Sequence, residues 1–104
     1  MKFFVNMVLG VSMLGTAHSA VAGDVAAGEA AYSAKGCMGC HGPAGNSPNP
    51  AMFPKTSGLE EGYLVTQLKA FRSGERSNPM MSPMANGLTD EEIANLSAYL
   101  AAQK

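Results

Sequence analysis

The stretch Cys37-Met38-Gly39-Cys40-His41 decides how this sequence is read. Two thiols two residues apart, with a histidine directly after the second, form the C-x-x-C-H pattern by which a haem is attached covalently. The chemistry explains the spacing. Thiols so placed reach the vinyl groups on neighbouring pyrroles of one porphyrin and form two thioethers, and the next residue then lies under the iron. A neutral imidazole nitrogen at that point can coordinate the metal, leaving its other nitrogen to bond a backbone carbonyl that fixes the ring plane. Cys37 and Cys40 are the only cysteines, and the one other histidine, His18, lies in the N-terminal apolar segment.

Three other uses of the motif fit the sequence less well. A thioredoxin-like redox pair belongs beside a βαβ pattern, and no strand periodicity is present. A zinc site needs a fourth ligand, for which no further Cys or His is available. A disulfide between Cys37 and Cys40 would be geometrically tight, would close too short a loop to stabilise much, and would leave His41 unexplained.

The chain has 104 residues, enough for one domain. It begins with Lys2, a mostly apolar stretch from Phe3 to Leu14 and then small residues. Ala20-Val21-Ala22 fits a signal-peptidase site. Residues 1–22 are therefore expected to be a cleaved secretory signal and residues 23–104 the mature domain, exported to the periplasm. The apolar run is shorter than the ~20 residues of a membrane-spanning helix, so no stable membrane insertion is expected after cleavage. Seven Lys and Arg residues, Lys2 among them, face eight Asp and Glu residues, which gives no basic field for nucleic acid. A mature chain this small has a modest core that something else should complete, and a covalently bound group would do so.

Three helices and two loops are expected. Asp24 is a suitable N-cap for an Ala-rich helix to about Lys35, with Val25, Gly28 and Tyr32 along one face. A mid-helix glycine costs roughly 1 kcal/mol relative to alanine, so Gly28 is either merely tolerated or marks the close approach of another backbone. Residues 42–58 carry four prolines and almost no periodicity, which reads as an irregular loop long enough to form a wall around a bound group. Leu59 to Ser73 reads as a helix with Leu64, Leu68 and Phe71 on one stripe and Tyr63 beside it, ended at Ser73-Gly74. Ser77 to Gly87 reads as another loop. Thr89 and Glu92 then form a capping box for a last helix faced by Ile93, Leu96 and Leu100, with Tyr99 at its flank.

This order of elements resembles a class I cytochrome c, and within it the bacterial periplasmic branch that includes single domains of two-haem cytochromes c. The resemblance rests on Gly36-Cys37-Met38-Gly39-Cys40-His41-Gly42, Phe53-Pro54-Lys55, the run from Tyr63 to Arg72, the run from Leu88 to Ala94, and Ala98-Tyr99-Leu100-Ala101. It implies an all-α, cytochrome c-like fold of about three to four helices packed around one covalently bound haem c. It also implies a sixth iron ligand from a methionine before the last helix, where Met80, Met81 and Met84 all stand. The branch places that ligand eight residues before the cap of the final helix; counting back from Thr89 gives Met81, with Met84 and then Met80 as alternatives to it. All three could instead be gap-filling residues. The carbonyl of Pro54 is expected to accept the free N–H of His41, and Gly28 and Tyr32 to pack across Leu96 and Tyr99. The resemblance departs at Gly58-Leu59, where the family commonly has Gly-Gln.

With His41 and a methionine filling both axial positions, no coordination site is left for a small substrate, so an electron carrier is expected rather than an enzyme. It would shuttle single electrons between redox protein partners that dock transiently. Two other readings stay open. One is a haem-based sensor or enzyme domain whose methionine dissociates; the other is a fixed electron-transfer subunit of a larger oxidoreductase.

Overall fold

The computed structural model describes residues 23–103; the expected signal segment lies outside them. The first helix, α1 (Val25–Ala34), starts where the Asp24 carboxylate accepts from the backbone N–H groups of Ala26 and Ala27. The attachment motif forms a single turn, α2 (Met38–His41), followed by a 3-10 turn at Pro43–Gly45. The third helix, α3 (Glu61–Ser73), is capped by the Glu60 side chain and stops at Gly74 in the left-handed conformation. A short α4 (Met81–Asn86) precedes α5 (Asp90–Ala101). The described residues contain no strand, and the fold is all-α as expected. Among the described residues no helix is long and apolar enough to cross a membrane.

Helix α5 carries the core. It packs against α1 and α3, while α3 also packs against α4. Thr89 and Glu92 make the full capping box, the Thr89 hydroxyl accepting from Glu92 N–H at 3.0 Å and the Glu92 carboxylate accepting from Thr89 N–H at 3.0 Å. Ile93, Leu96, Tyr99 and Leu100 are buried with Tyr32, Leu64 and Leu88 in one cluster.

Gly28 marks the close helix crossing. A Cβ there would lie 2.0 Å from the carbonyl oxygen of Asn95 and 2.7 Å from Cβ of Tyr99, so only glycine lets α1 settle onto α5. One turn on, the rings of Tyr32 and Tyr99 lie 5.5 Å apart and tilted by 52°. Val25, placed on the same face by periodicity, is exposed, because the contact is centred on Gly28 and Tyr32 beyond the first turn of α1. The Asn95 side chain tethers the start of α1 by accepting from Asp24 N–H at 2.8 Å.

Two further differences from the sequence reading have local causes. Residues 81–86 are helical where a loop was expected. Pro83 falls in the first turn of α4, where a missing N–H breaks no helical bond, and the Asn78 side chain caps Met80 N–H and Met81 N–H at 2.8 and 2.9 Å. Helix α3 begins at Glu61 rather than Leu59, because Glu60 serves as its cap.

The loop of residues 42–58 is irregular, as its composition implies, but it is pinned. Gly45 O accepts from both Thr56 N–H and Ser57 N–H, and Gly58 N–H donates to Leu100 O at 2.8 Å, tying the loop to the last turn of α5.

Candidate metal centre

The single turn of α2 explains how five consecutive residues act together. Residues three and four apart in a helix share a face, so Cys37, Cys40 and His41 are presented on one side of the turn. His41 N–H donates to Cys37 O at 2.9 Å, closing the turn. Gly42 ends it with φ 80°, where an added Cβ would also lie 2.2 Å from Asn46 O, so this corner admits only glycine. The buried Tyr32 hydroxyl donates to Gly42 O at 2.6 Å, and burial pushes its phenol up to about 12.

These residues line a cavity of about 560 Å³ between α2, the loop of residues 42–58, α3 and α4. That lies within the roughly 300–1,000 Å³ typical of cofactor sites. Cys37, Cys40 and His41 are on its wall, as are Pro54, Met80, Met81 and Met84, so every site residue expected from the sequence lines one space. Met80 and Met84 are 51% and 45% exposed; Met81, at the first position of α4, is the least exposed of the three. Cys40 is exposed and Cys37 half-buried, and burial pushes the Cys37 thiol up.

His41 is held from behind. Its Nδ1 lies 2.8 Å from Pro54 O, and the ring of Phe53 meets it edge-on with centroids 6.5 Å apart. An Nδ1–H that donates to a carbonyl leaves Nε2 as the nitrogen free for a metal.

The donors suit a planar macrocycle better than a bare ion. Among the described residues no three His, Cys, Asp or Glu side chains gather about one point to hold a metal ion. The donors are instead spread along a mostly apolar wall that includes Leu64, Leu68, Phe71 and Leu96. Leu64, Leu68 and Phe71 form the stripe read from α3; Leu64 is buried and Leu68 and Phe71 are half-buried on this wall. Tyr63, half exposed, also lines it. The wall further holds Thr56, whose buried Oγ1 has no hydrogen-bond partner, a donor that a group bound in the cavity would satisfy. The residues present therefore fit a haem.

Sequence reasoning missed several residues of this wall, Thr56, Gln67, Arg76 and Asn78 among them. The Asn78-Pro79 dipeptide carried a legible signal for the cap that Asn78 makes, but nothing in the sequence marked the other three.

Comparison with known proteins identifies the family. The cytochrome c family profile matches residues 25–104. The chain is 41% identical over 103 residues to cytochrome c4 of Pseudomonas aeruginosa, covering 99% of this chain and 49% of that one, so it spans about half that relative's length. It is 41% identical over 86 residues to cytochrome c-554(548) of Halomonas halodenitrificans, covering 80% of this chain and all of that one. Among solved structures, thiosulfate dehydrogenase from Marichromatium purpuratum superposes with a TM-score of 0.70 at 38% identity, over 78% of this chain and 19% of that one. A motif for covalent haem, a cavity that gathers its donors and a family match across the whole described fold lead to one conclusion: the chain belongs to the cytochrome c family.

Proposed function

We propose that this chain is an exported monohaem c-type cytochrome that carries single electrons between periplasmic redox proteins, with thioethers to Cys37 and Cys40 and iron ligation by His41 and Met81. The observation that carries the reading is the gathering of these four side chains on one cavity wall, with Nδ1 of His41 already engaged by Pro54. Haem c supplies an iron that takes up and gives away one electron without breaking a bond.

The chain's residues make that exchange easy. The Pro54 carbonyl fixes the tautomer and orientation of His41, and Phe53 restrains the ring from the side, so the imidazole need not move when charge changes. Asn78 sets the start of α4 and with it the place of Met81. A thioether is a soft, neutral ligand that favours reduced iron, so Met81 raises the reduction potential relative to a second imidazole. The apolar wall keeps water away and adds to the same bias.

The partner we propose is an oxidoreductase that delivers electrons one at a time, of the thiosulfate dehydrogenase class. The likeness of this chain to part of such an enzyme supports that choice.

The decisive experiment is expression in a host that matures c-type cytochromes, followed by denaturing electrophoresis and a haem-peroxidase stain of the periplasmic fraction. Haem should remain with the polypeptide and Cys37→Ser, Cys40→Ser protein should lose it. A colourless exported protein with both thiols free would sink the proposal. Rapid-mixing reduction by a thiosulfate dehydrogenase tests the partner separately, and absence of reduction would remove that partner while leaving the carrier reading intact.

A further inference from the structure

An asparagine side chain is prone to one reaction above all: the backbone nitrogen of the next residue attacks its amide carbon. Five asparagines fall among the described residues, and four of them are shielded from that attack. Asn49 and Asn78 precede Pro50 and Pro79, whose ring nitrogens carry no hydrogen and cannot attack. Asn46 Oδ1 accepts from the Ser57 hydroxyl at 3.0 Å, and Asn95, inside α5, accepts from Asp24 N–H at 2.8 Å. Asn86 is the exception. It is exposed, no described residue holds its side chain, and the residue that follows it is Gly87.

The joint between α4 and α5 leaves the attacking nitrogen within reach. Asn86 is the last residue of α4, where a helix frays. Gly87 N–H donates to Met84 O at a long 3.3 Å. Gly87 has no side chain to screen that nitrogen, although its φ of −87° and ψ of 5° do not call for a glycine. A Cβ there would meet nothing nearer than Met84 O at 3.9 Å, so alanine fits the same space.

We propose that Asn86 and Gly87 form a self-modification site, in which Gly87 N attacks Cγ of Asn86 and closes a succinimide that water opens to isoaspartate or aspartate. The bond that forms is N–Cγ; the bond that breaks is Cγ–Nδ2, and ammonia leaves with the proton of the glycine N–H. Water then breaks one of the two ring bonds to that nitrogen. Breaking N–Cγ gives aspartate. Breaking the bond to the Asn86 carbonyl carbon gives isoaspartate, whose main chain runs through Cγ and is longer by one methylene. The net change is hydrolysis of an amide to a carboxylate and ammonia, with no oxidant or reductant.

That methylene falls between two fixed points. Ala85 and Leu88 are buried, Leu88 N–H donates to Ala85 O at 3.1 Å, and Leu88 O accepts from the Arg72 guanidinium at 3.1 Å. The added length is therefore taken up in α4, which has six residues and starts at Met81. Both products also set a negative charge at the carbonyl end of α4, where it is unfavourable. Modification loosens the segment that presents Met81. The further consequence, a weaker sulfur–iron bond as the protein ages, rests on the carrier reading above.

The test holds the matured protein at mildly alkaline pH and physiological temperature and follows its tryptic peptides by mass spectrometry, with enzymatic methylation to count isoaspartate. The peptide that begins after Arg76 should gain the mass difference between an amide and an acid, and fragmentation should place the change at Asn86, with Asn46, Asn49, Asn78 and Asn95 intact. Gly87→Ala should slow the conversion by about tenfold or more, because its Cβ screens the attacking nitrogen. In step with conversion, the oxidised native protein should lose its near-infrared sulfur-to-iron band and melt at a lower temperature, while Gly87→Ala keeps both. If Asn86 converts no faster than Asn46 and Asn95, or if Gly87→Ala ages at the native rate, the site is overturned. Conversion with an unchanged band and melting temperature would overturn the coupling to α4. Failure of the parent reading looks different: a chain without covalent haem still converts at Asn86, with no band to lose.

Discussion

At the scale of single residues, the chemistry of this chain is concentrated in a few positions whose roles can be separated. Three methionines share the cavity wall, and only Met81 combines low exposure with the first position of α4. We expect Met81→Ala to lower the reduction potential and open the iron to carbon monoxide or cyanide, and Met84→Ala to do neither; ligand-binding spectra of both variants check this, and the opposite pattern would reassign the ligand. That Cys37, Cys40 and His41 share one cavity wall was legible in sequence, because covalent attachment demands one spacing and one neighbour. Pro54 and Met81 came from the family resemblance, since nothing local says which carbonyl or which thioether lies across a cavity. Thr56, Gln67 and Arg76 were silent because their significance is purely spatial: a hydroxyl without a partner and a guanidinium stacked on a ring exist only once the chain has folded.

Among the elements, the two helices that enclose the fold are set by features a sequence displays. The cap at Asp24 and the capping box at Thr89 and Glu92 are short-range chemistry, and both were legible. The close approach at Gly28 was legible only as an alternative, because a tolerated glycine and a required one look alike until the second helix is in place. Gly28→Ala should destabilise the matured protein by about 2 kcal/mol through overpacking against Asn95 and Tyr99, a fall in melting temperature of about 8–16 °C for a domain of this size. Thermal unfolding followed at the haem band would show it, and an unchanged melting point would refute the crossing. The short α4 escaped sequence reading because six residues with a proline carry no period.

The start of α5 also predicts an acid limit. The Arg72 guanidinium bonded to Asp90 holds that carboxyl below the usual range, and the backbone N–H of Thr89, with help from Lys35, does the same for Glu92. Because both are lowered in the folded protein, their contribution is present above the ordinary carboxylate value of about 4 and is lost as the pH falls through the depressed values. Glu92→Gln should therefore flatten part of the decline in melting temperature below about pH 4, measured against the native protein in the same buffers. An identical decline in the variant would show that the capping carboxylate has no share in it.

Taken as a whole molecule, the protein has a core of seven clustered side chains beside a cavity of about 560 Å³. Leu64 and Leu68 line that space as well as the core, and Phe71 lines it too, so the group that fills it completes the interior. The double variant Cys37→Ser, Cys40→Ser should consequently be colourless and loosely packed, keeping helical far-ultraviolet dichroism while losing its near-ultraviolet signal and binding a hydrophobic dye. A sharply melting, dye-free double variant would mean that the polypeptide packs without its cofactor.

The hydrogen bond from Gly58 to Leu100 links the imidazole's support to a residue made much later in synthesis. The segment that presents Pro54 to His41 is anchored on that late helical turn. If the proposed attachment holds, the two sulfurs would be free to be alkylated before the last helix docks, whereas the imidazole would acquire its fixed bearing only afterwards. Maturation would proceed in two separable stages, with capture of the pigment preceding its final electronic tuning.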